Sequence, residues 1–297
     1  MKIKNNAKEI LDFMLFIKLK LFFLLITPCS IHLLNKLADI LGYLCYLILF
    51  ARRRVALRNL DEAFGNLKTK REKRKIALES FQNLIRGVLE IRYYYVHGPA
   101  EINRRFEYRG LENYTEALKK GPVLFISGHI GQFPIMVCKF ILDKFDMHLI
   151  LKALSNKHVE DMFNVYRQRL ANPKDIFKTI IYYKPRFIAL KKSLKELNAG
   201  HSLFIFVDQR FSNGIKTKFF GRNVLTAPGA DTLARRTSAT VLPAFIIRKG
   251  AKHIITIGKA IPIGNDETEN TQKFTAQIEQ AIRKDPGQWW WFHKRWQ

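Results

Sequence analysis

His129 stands between two glycines in VLFISGHIGQFPI, residues 123–135, directly after a run of apolar and β-branched side chains. A neutral imidazole can take a proton near neutral pH, so a histidine at the end of a strand is a candidate general base. A second ionisable residue, Asp208, follows the apolar run LFIFV, Leu203–Val207. In open α/β sheets ligands gather beyond the carboxyl ends of the strands. If the two strands run parallel, His129 and Asp208 emerge on one edge, where an acid can orient a base. Taken alone, each residue has a plainer reading: an inert, hydrogen-bonded turn histidine and a helix or turn cap. Gly128 and Gly131 would let a substrate approach the backbone closely. No GxSxG, HExxH, P-loop or GxGxxG pattern competes with this pair.

The elements that must position these residues are legible from Phe106 onward. Strands are expected at Val123–Ser127, His148–Leu151, Leu203–Val207, Val241–Ile247 and His253–Ile257, all rich in Ile, Val, Leu and Phe. Helices are expected at Pro134–Phe145, His158–Leu170, Phe187–Asn198, Ala230–Thr237 and Glu269–Ile282. Their alternation implies an α/β domain with a mostly parallel central sheet flanked by helices. The last two strands, joined by RKGAK, suit a hairpin at one edge of that sheet.

The first 51 residues differ from the rest. Ile10–Ile26 is apolar but carries Asp12, Lys18 and Lys20; a second apolar run, Leu37–Phe50, ends at Arg52-Arg53-Arg54. Neither is an uninterrupted span of about 18–20 residues. Lysines snorkel, however, so a tilted or interfacial anchor is one reading and a pair of buried amphipathic helices the other. The arginine cluster would leave the bulk of the chain on the cytoplasmic side. Residues 52–105 read as a basic helical lead-in and 106–297 as the α/β core.

Across 297 residues Lys and Arg number 51 against 25 Asp and Glu, a net charge of +26. Such an excess calls for an anionic partner: nucleic acid, an acidic membrane or an acidic carrier protein. The basic residues are dispersed and no RRM, KH or helix-turn-helix signature is present, which argues against nucleic acid. Cys29, Cys45 and Cys138 lack CxxC spacing, so neither a disulfide framework nor a cysteine zinc site is expected.

Ser127–Met136, SGHIGQFPIM, resembles the first motif of the late lipid A acyltransferases, a family of the lysophospholipid acyltransferase superfamily. The resemblance runs through nearly the whole chain. Arg53-Arg54-Val55-Ala56 with Asn59-Leu60 and Ala63-Phe64 is similar to the family's basic segment, and Glu107–Asn113 to the strand and turn before the catalytic motif. Asp208-Gln209, Phe219-Phe220-Gly221 and Ala227–Ala230 with Leu233-Ala234 and Pro243 resemble its DQ, FFG and G-x-x-x-LA blocks. Gln288–Trp296 resembles its aromatic and basic ending.

The resemblance implies transfer of a fatty acyl chain from acyl carrier protein to a hydroxyl of a lipid A precursor. The reaction would take place at the inner membrane, beside anionic lipids and with no metal or organic cofactor. It makes His129 the base and offers Gly128, Gly131, Gln132, Arg167, Gln209, Arg210, Phe220, Gly221 and Arg222 as substrate-binding candidates. One position departs from the pattern. Pro134 stands where the family has Glu or Asp, and proline cannot orient an imidazole. Asp208 is the expected replacement. Glu160 or Asp161 are alternatives, as is a degenerate homologue without transferase activity.

Overall fold

The computed structural model describes residues 2–171 and 179–296. Helices α1 (Lys2–Leu25), α2 (Ile31–Ile48), α3 (Phe50–Phe64), α4 (Lys70–His97) and α5 (Pro99–Arg105) precede the first strand, β1 (Phe106–Arg109). There follow α6 (Leu111–Leu118), β2 (Val123–Ser127), α7 (Phe133–Leu142), β3 (Met147–Leu151), α8 (Lys157–Ala171) and β4 (Ile180–Tyr182). Next come α9 (Arg186–Asn198), β5 (Ser202–Phe206), β6 (Arg210–Phe219), β7 (Arg222–Thr226) and α10 (Gly229–Thr237). The last elements are β8 (Thr240–Lys249), β9 (Lys252–Ile257) and α11 (Glu267–Lys284).

Seven strands form one sheet in the order β1-β9-β8-β2-β5-β3-β4. Every neighbouring pair is parallel except the antiparallel β8–β9 hairpin. The fold is thus α/β with a mostly parallel sheet, as expected. All five residues of β2 are buried, which a sheet covered on both faces requires. Val123 and Phe125 enter one hydrophobic layer with Leu89, Tyr94, Met136 and Phe140. Leu124 and Ile126 enter the other with Leu233, Ile278, Trp289 and Trp291.

Three features correct the sequence-based expectation. The β8–β9 hairpin lies inside the sheet, because β1 pairs with β9 and takes the edge. β4 is only three residues long and has no run to betray it. The β6–β7 ribbon is a separate two-stranded sheet whose longer strand, RFSNGIKTKF, is half exposed and has no apolar run. Its turn is Phe220-Gly221, with φ of 52° and 74°, as a two-residue hairpin connection demands.

The N-terminal helices are continuous with the body of the protein. Phe23, Ile26, Ile31, Leu34 and Ala38 join the same buried layer as α4. Their other faces expose Ile10, Leu11, Phe13, Leu21, Leu24, Leu25, Ile40, Leu44, Leu47 and Ile48. Among the described residues α2 is long and apolar enough to cross a membrane, and 22% of that stretch is buried.

One ion pair crosses the layers. Arg248 of β8 donates from Nε and Nη2 to Glu90 of α4, at 3.0 and 2.7 Å, and from Nη1 to Asn83 at 2.6 Å. Both partners are buried. Burial would raise the Glu90 carboxyl, but Arg248, with His253 and the Gln132 amide, outweighs it and holds the carboxyl below its ordinary range. Removing one member of such a pair strands a buried charge. Arg248→Met is therefore expected to cost about 3–5 kcal/mol, read as a fall in unfolding free energy in detergent.

Candidate active site

Parallel pairing sets β2 beside β5 with Ser127 opposite Phe206. His129 and Asp208 each lie two residues beyond that pair, so the sheet delivers both to one edge. Asp208 Oδ1 lies 2.7 Å from His129 Nδ1. Its Oδ2 accepts from the His129 backbone N–H at 2.7 Å and from the Trp289 indole N–H at 2.8 Å. Asp208 is 3% exposed. Burial pushes its carboxyl up, but the His129 charge, the two hydrogen bonds from His129 and the Trp289 N–H outweigh it; the carboxyl sits at about 2. In a neutral ring, an ionised acceptor at Nδ1 favours the tautomer with the proton there and the lone pair on Nε2. Gln209 Nε2 stands 3.4 Å from that nitrogen.

The ring is enclosed by apolar walls. Phe206, Phe133 and Trp290 lie 4.6, 4.8 and 5.0 Å from it, centroid to centroid. A polar cavity of about 410 Å³ lies elsewhere, among Asn83, Arg86, Arg248, Asp285 and Gln288; neither His129 nor Asp208 lines it.

The protein's own atoms crowd the glycines of the turn, Gly131 more tightly than Gly128. A Cβ on Gly128 would stand 3.3 Å from Asp208 Oδ2 and from Ile278 Cγ2. Gly131 has φ +57°, and a Cβ there would meet the Ile246 carbonyl oxygen at 2.5 Å. Gln132 is buried and donates to the Gly87 carbonyl at 3.1 Å and to Glu90 Oε2 at 2.7 Å, tying the turn to α4. Pro134 falls in the first turn of α7, where a missing N–H costs nothing.

The remaining candidates are dispersed. Arg167 Nη1 donates to Glu160 at 2.9 Å and to Asn164 at 2.5 Å. Glu160 also accepts from the Leu154 N–H, and Asp161 pairs with Lys157 at 2.6 Å, so both alternative acids are engaged with other partners. Gln209 and Arg210 are exposed beside Asp208 in sequence. Arg222 is exposed and 3.6 Å from Glu62. Phe220 is buried among Phe64, Trp291 and Trp296, with Gly221 completing the hairpin turn.

The segment Gln288–Trp296 completes the site from behind. Ile130 bridges Trp289, and Gly131 N–H donates to the Gln288 carbonyl at 3.0 Å. Ser80 donates to the Trp289 carbonyl at 2.6 Å, and Asn59 donates to those of Trp291 and His293 at 2.7 and 2.6 Å. Arg295, 1% exposed, donates to the carbonyls of Gln209 and Leu225 and to Thr226 Oγ1. Trp289 and Trp290 belong with the dyad, and the sequence marked them only as part of a dense aromatic cluster.

A comparison with protein families matches residues 5–297 to the bacterial lipid A biosynthesis acyltransferases. The chain belongs to that family. A lipid A biosynthesis acyltransferase of Haemophilus influenzae is 22% identical over 278 residues, covering 91% of this chain and 83% of that protein. An acyltransferase needs a base for the attacking hydroxyl, and the His129–Asp208 pair has the arrangement for one.

The folded Asp208 carboxyl lies below its ordinary value of 3.8, so its stabilisation is present above about pH 4. It is lost as pH falls through about 2. Wild-type protein is expected to lose on the order of 2 kcal/mol across that window, and Asp208→Asn to show no such loss in acid-unfolding curves. At neutral pH, Trp289→Phe should cost about 1.5–3 kcal/mol by deleting a charge-assisted hydrogen bond, measured by denaturant unfolding.

Proposed function

We propose that the protein transfers a fatty acyl chain from acyl carrier protein to a hydroxyl group of a lipid A precursor, with His129 as general base. The observation that carries this reading is the 2.7 Å contact between His129 Nδ1 and Asp208, which leaves Nε2 to accept the hydroxyl proton. The hydroxyl attacks the thioester carbonyl, and the thiol of the carrier leaves after the tetrahedral intermediate collapses. Asp208 takes the orienting role that Pro134 cannot fill, and it remains ionised while the imidazolium forms. Backbone N–H groups or a neighbouring cation meet the charge on the carbonyl oxygen.

Gln209, at the free side of the ring, is proposed to touch the acceptor, and Arg210 and Arg222 to meet its phosphates. Gly128, Gly131, Gln132, Phe220 and Gly221 shape the surrounding backbone, while Arg167 is proposed to reach substrate from α8. The net charge of +26 suits an acidic carrier, phosphorylated acceptor and anionic lipids together. The exposed apolar faces of α1 and α2, followed by Arg52–Arg54, support a membrane site with the catalytic residues on the cytoplasmic side of the inner membrane.

The test is an assay of purified protein with acyl carrier proteins of several chain lengths and a tetra-acylated lipid A precursor. His129→Ala is expected to lower turnover by about 10³-fold or more, and Asp208→Asn by about 10²–10⁴-fold, with folding retained. Full activity in His129→Ala overturns the base assignment. Activity of Asp208→Asn within a few-fold of wild type overturns the orienting role, and transfer only to other lipid or glycolipid hydroxyls overturns the acceptor.

A further inference from the structure

Four polar side chains gather where β3 and β5 begin, at the end of the sheet opposite His129. The parallel register pairs Met147 with Ser202 and His148 with Leu203. One step earlier it sets Asp146 beside His201, and the Ser202 N–H donates to the Asp146 carbonyl at 2.7 Å. The His201 N–H donates to the Glu196 carbonyl at 3.1 Å, which holds His201 over the last turn of α9. Five residues of strand, roughly 16 Å, separate this end from the catalytic edge.

Asp146, His148 and His201 can each offer one ligand atom, all within 4.8 Å of one another. The fourth group, Glu196 Oε2, lies 3.5 Å from His148 Nε2 and 3.8 Å from His201 Nε2. His148 is 8% exposed, yet among the described residues its Nδ1 has no hydrogen-bond partner, and 3.5 Å is long for a bond at Nε2. A buried imidazole this poorly satisfied by protein groups requires a reason.

The geometry points to a divalent cation of the zinc class, held by His148, His201 and Asp146, with water to complete its shell. Two imidazoles and one carboxylate suit zinc and its neighbours, whereas calcium and magnesium ask for six or more oxygens, largely from carboxylates, carbonyls and water. Ligand atoms about 2.0–2.2 Å from a tetrahedral zinc lie roughly 3.3–3.6 Å apart, so donors within 4.8 Å of one another need only small side-chain movements to close on one ion. The 2.6 Å hydrogen bond between Asp146 Oδ2 and His201 Nδ1 opens by roughly 0.7 Å when an ion enters. Asp146, with its side chain 69% exposed, is free to swing by that amount. The ion would pin the turn after α7 to the turn before β5, far from the transfer chemistry, so the assignment stands apart from the proposed reaction.

Full-length protein in detergent, without a histidine tag and stripped with EDTA, is titrated with Zn²⁺ by calorimetry. Wild type and His129→Ala are expected to bind one equivalent with equal affinity and to gain thermal stability. His201→Gln and Asp146→Asn, at more exposed positions than His148, are expected to weaken binding at least about tenfold while keeping the metal-free melting temperature. Absence of saturable binding overturns the proposal. So does binding that survives both substitutions, or binding that disappears in His129→Ala.

Discussion

The buried carboxylate of Asp208 is the constraint around which this protein is assembled. An ionised acid out of water is tolerable only if its lone pairs are met. Here they are met from three places: the His129 ring, the His129 backbone and the Trp289 indole. Those donors come from the turn after β2 and from the segment beyond α11. The carboxylate therefore needs the parallel sheet to be built and the tryptophan segment to be packed before its own burial is compensated. The same arrangement sets the imidazole among Phe133, Phe206 and Trp290, with Gln209 beside its Nε2.

A second layer of polar contacts holds that arrangement still. Gln132 reaches from the turn to Glu90, Glu90 pairs with Arg248, and Gln288 accepts the Arg248 N–H at 2.8 Å while its own carbonyl takes the Gly131 N–H. Each member is buried or half-buried, so none can drift without leaving a polar atom unmet. Gly131, with its left-handed backbone pressed against Ile246, admits no bulkier residue. The turn is positioned by backbone sterics and by hydrogen bonds at once.

Much of this was legible in the sequence, and the failures have physical causes. Five strands were visible because strands covered on both faces are written as continuous apolar runs, as in VLFIS and LFIFV. His129 and Asp208 were visible for the same reason: each interrupts such a run at its carboxyl end. The β6–β7 ribbon gave no strand pattern because exposed polar residues break up its few apolar ones, and β4 is too short to form a pattern. The place of the β8–β9 hairpin depended on β1, a four-residue strand paired with a partner almost 150 residues away. Trp289 could not be singled out among three adjacent tryptophans, since only the tertiary path says which one faces Asp208. The glycines were read as room for a ligand; the structure adds that a Cβ on either would also crowd Asp208 or Ile246.

The matched offsets of His129 and Asp208 beyond the Ser127–Phe206 pair make the dyad a gauge of strand alignment. A slip of one residue between β2 and β5 would carry the carboxylate roughly 3.3 Å along the sheet and turn it to the opposite face. The charge would then be buried without donors, and the misaligned sheet would be penalised by electrostatics as well as by packing. The proposed chemistry and folding fidelity thus depend on the same three hydrogen bonds.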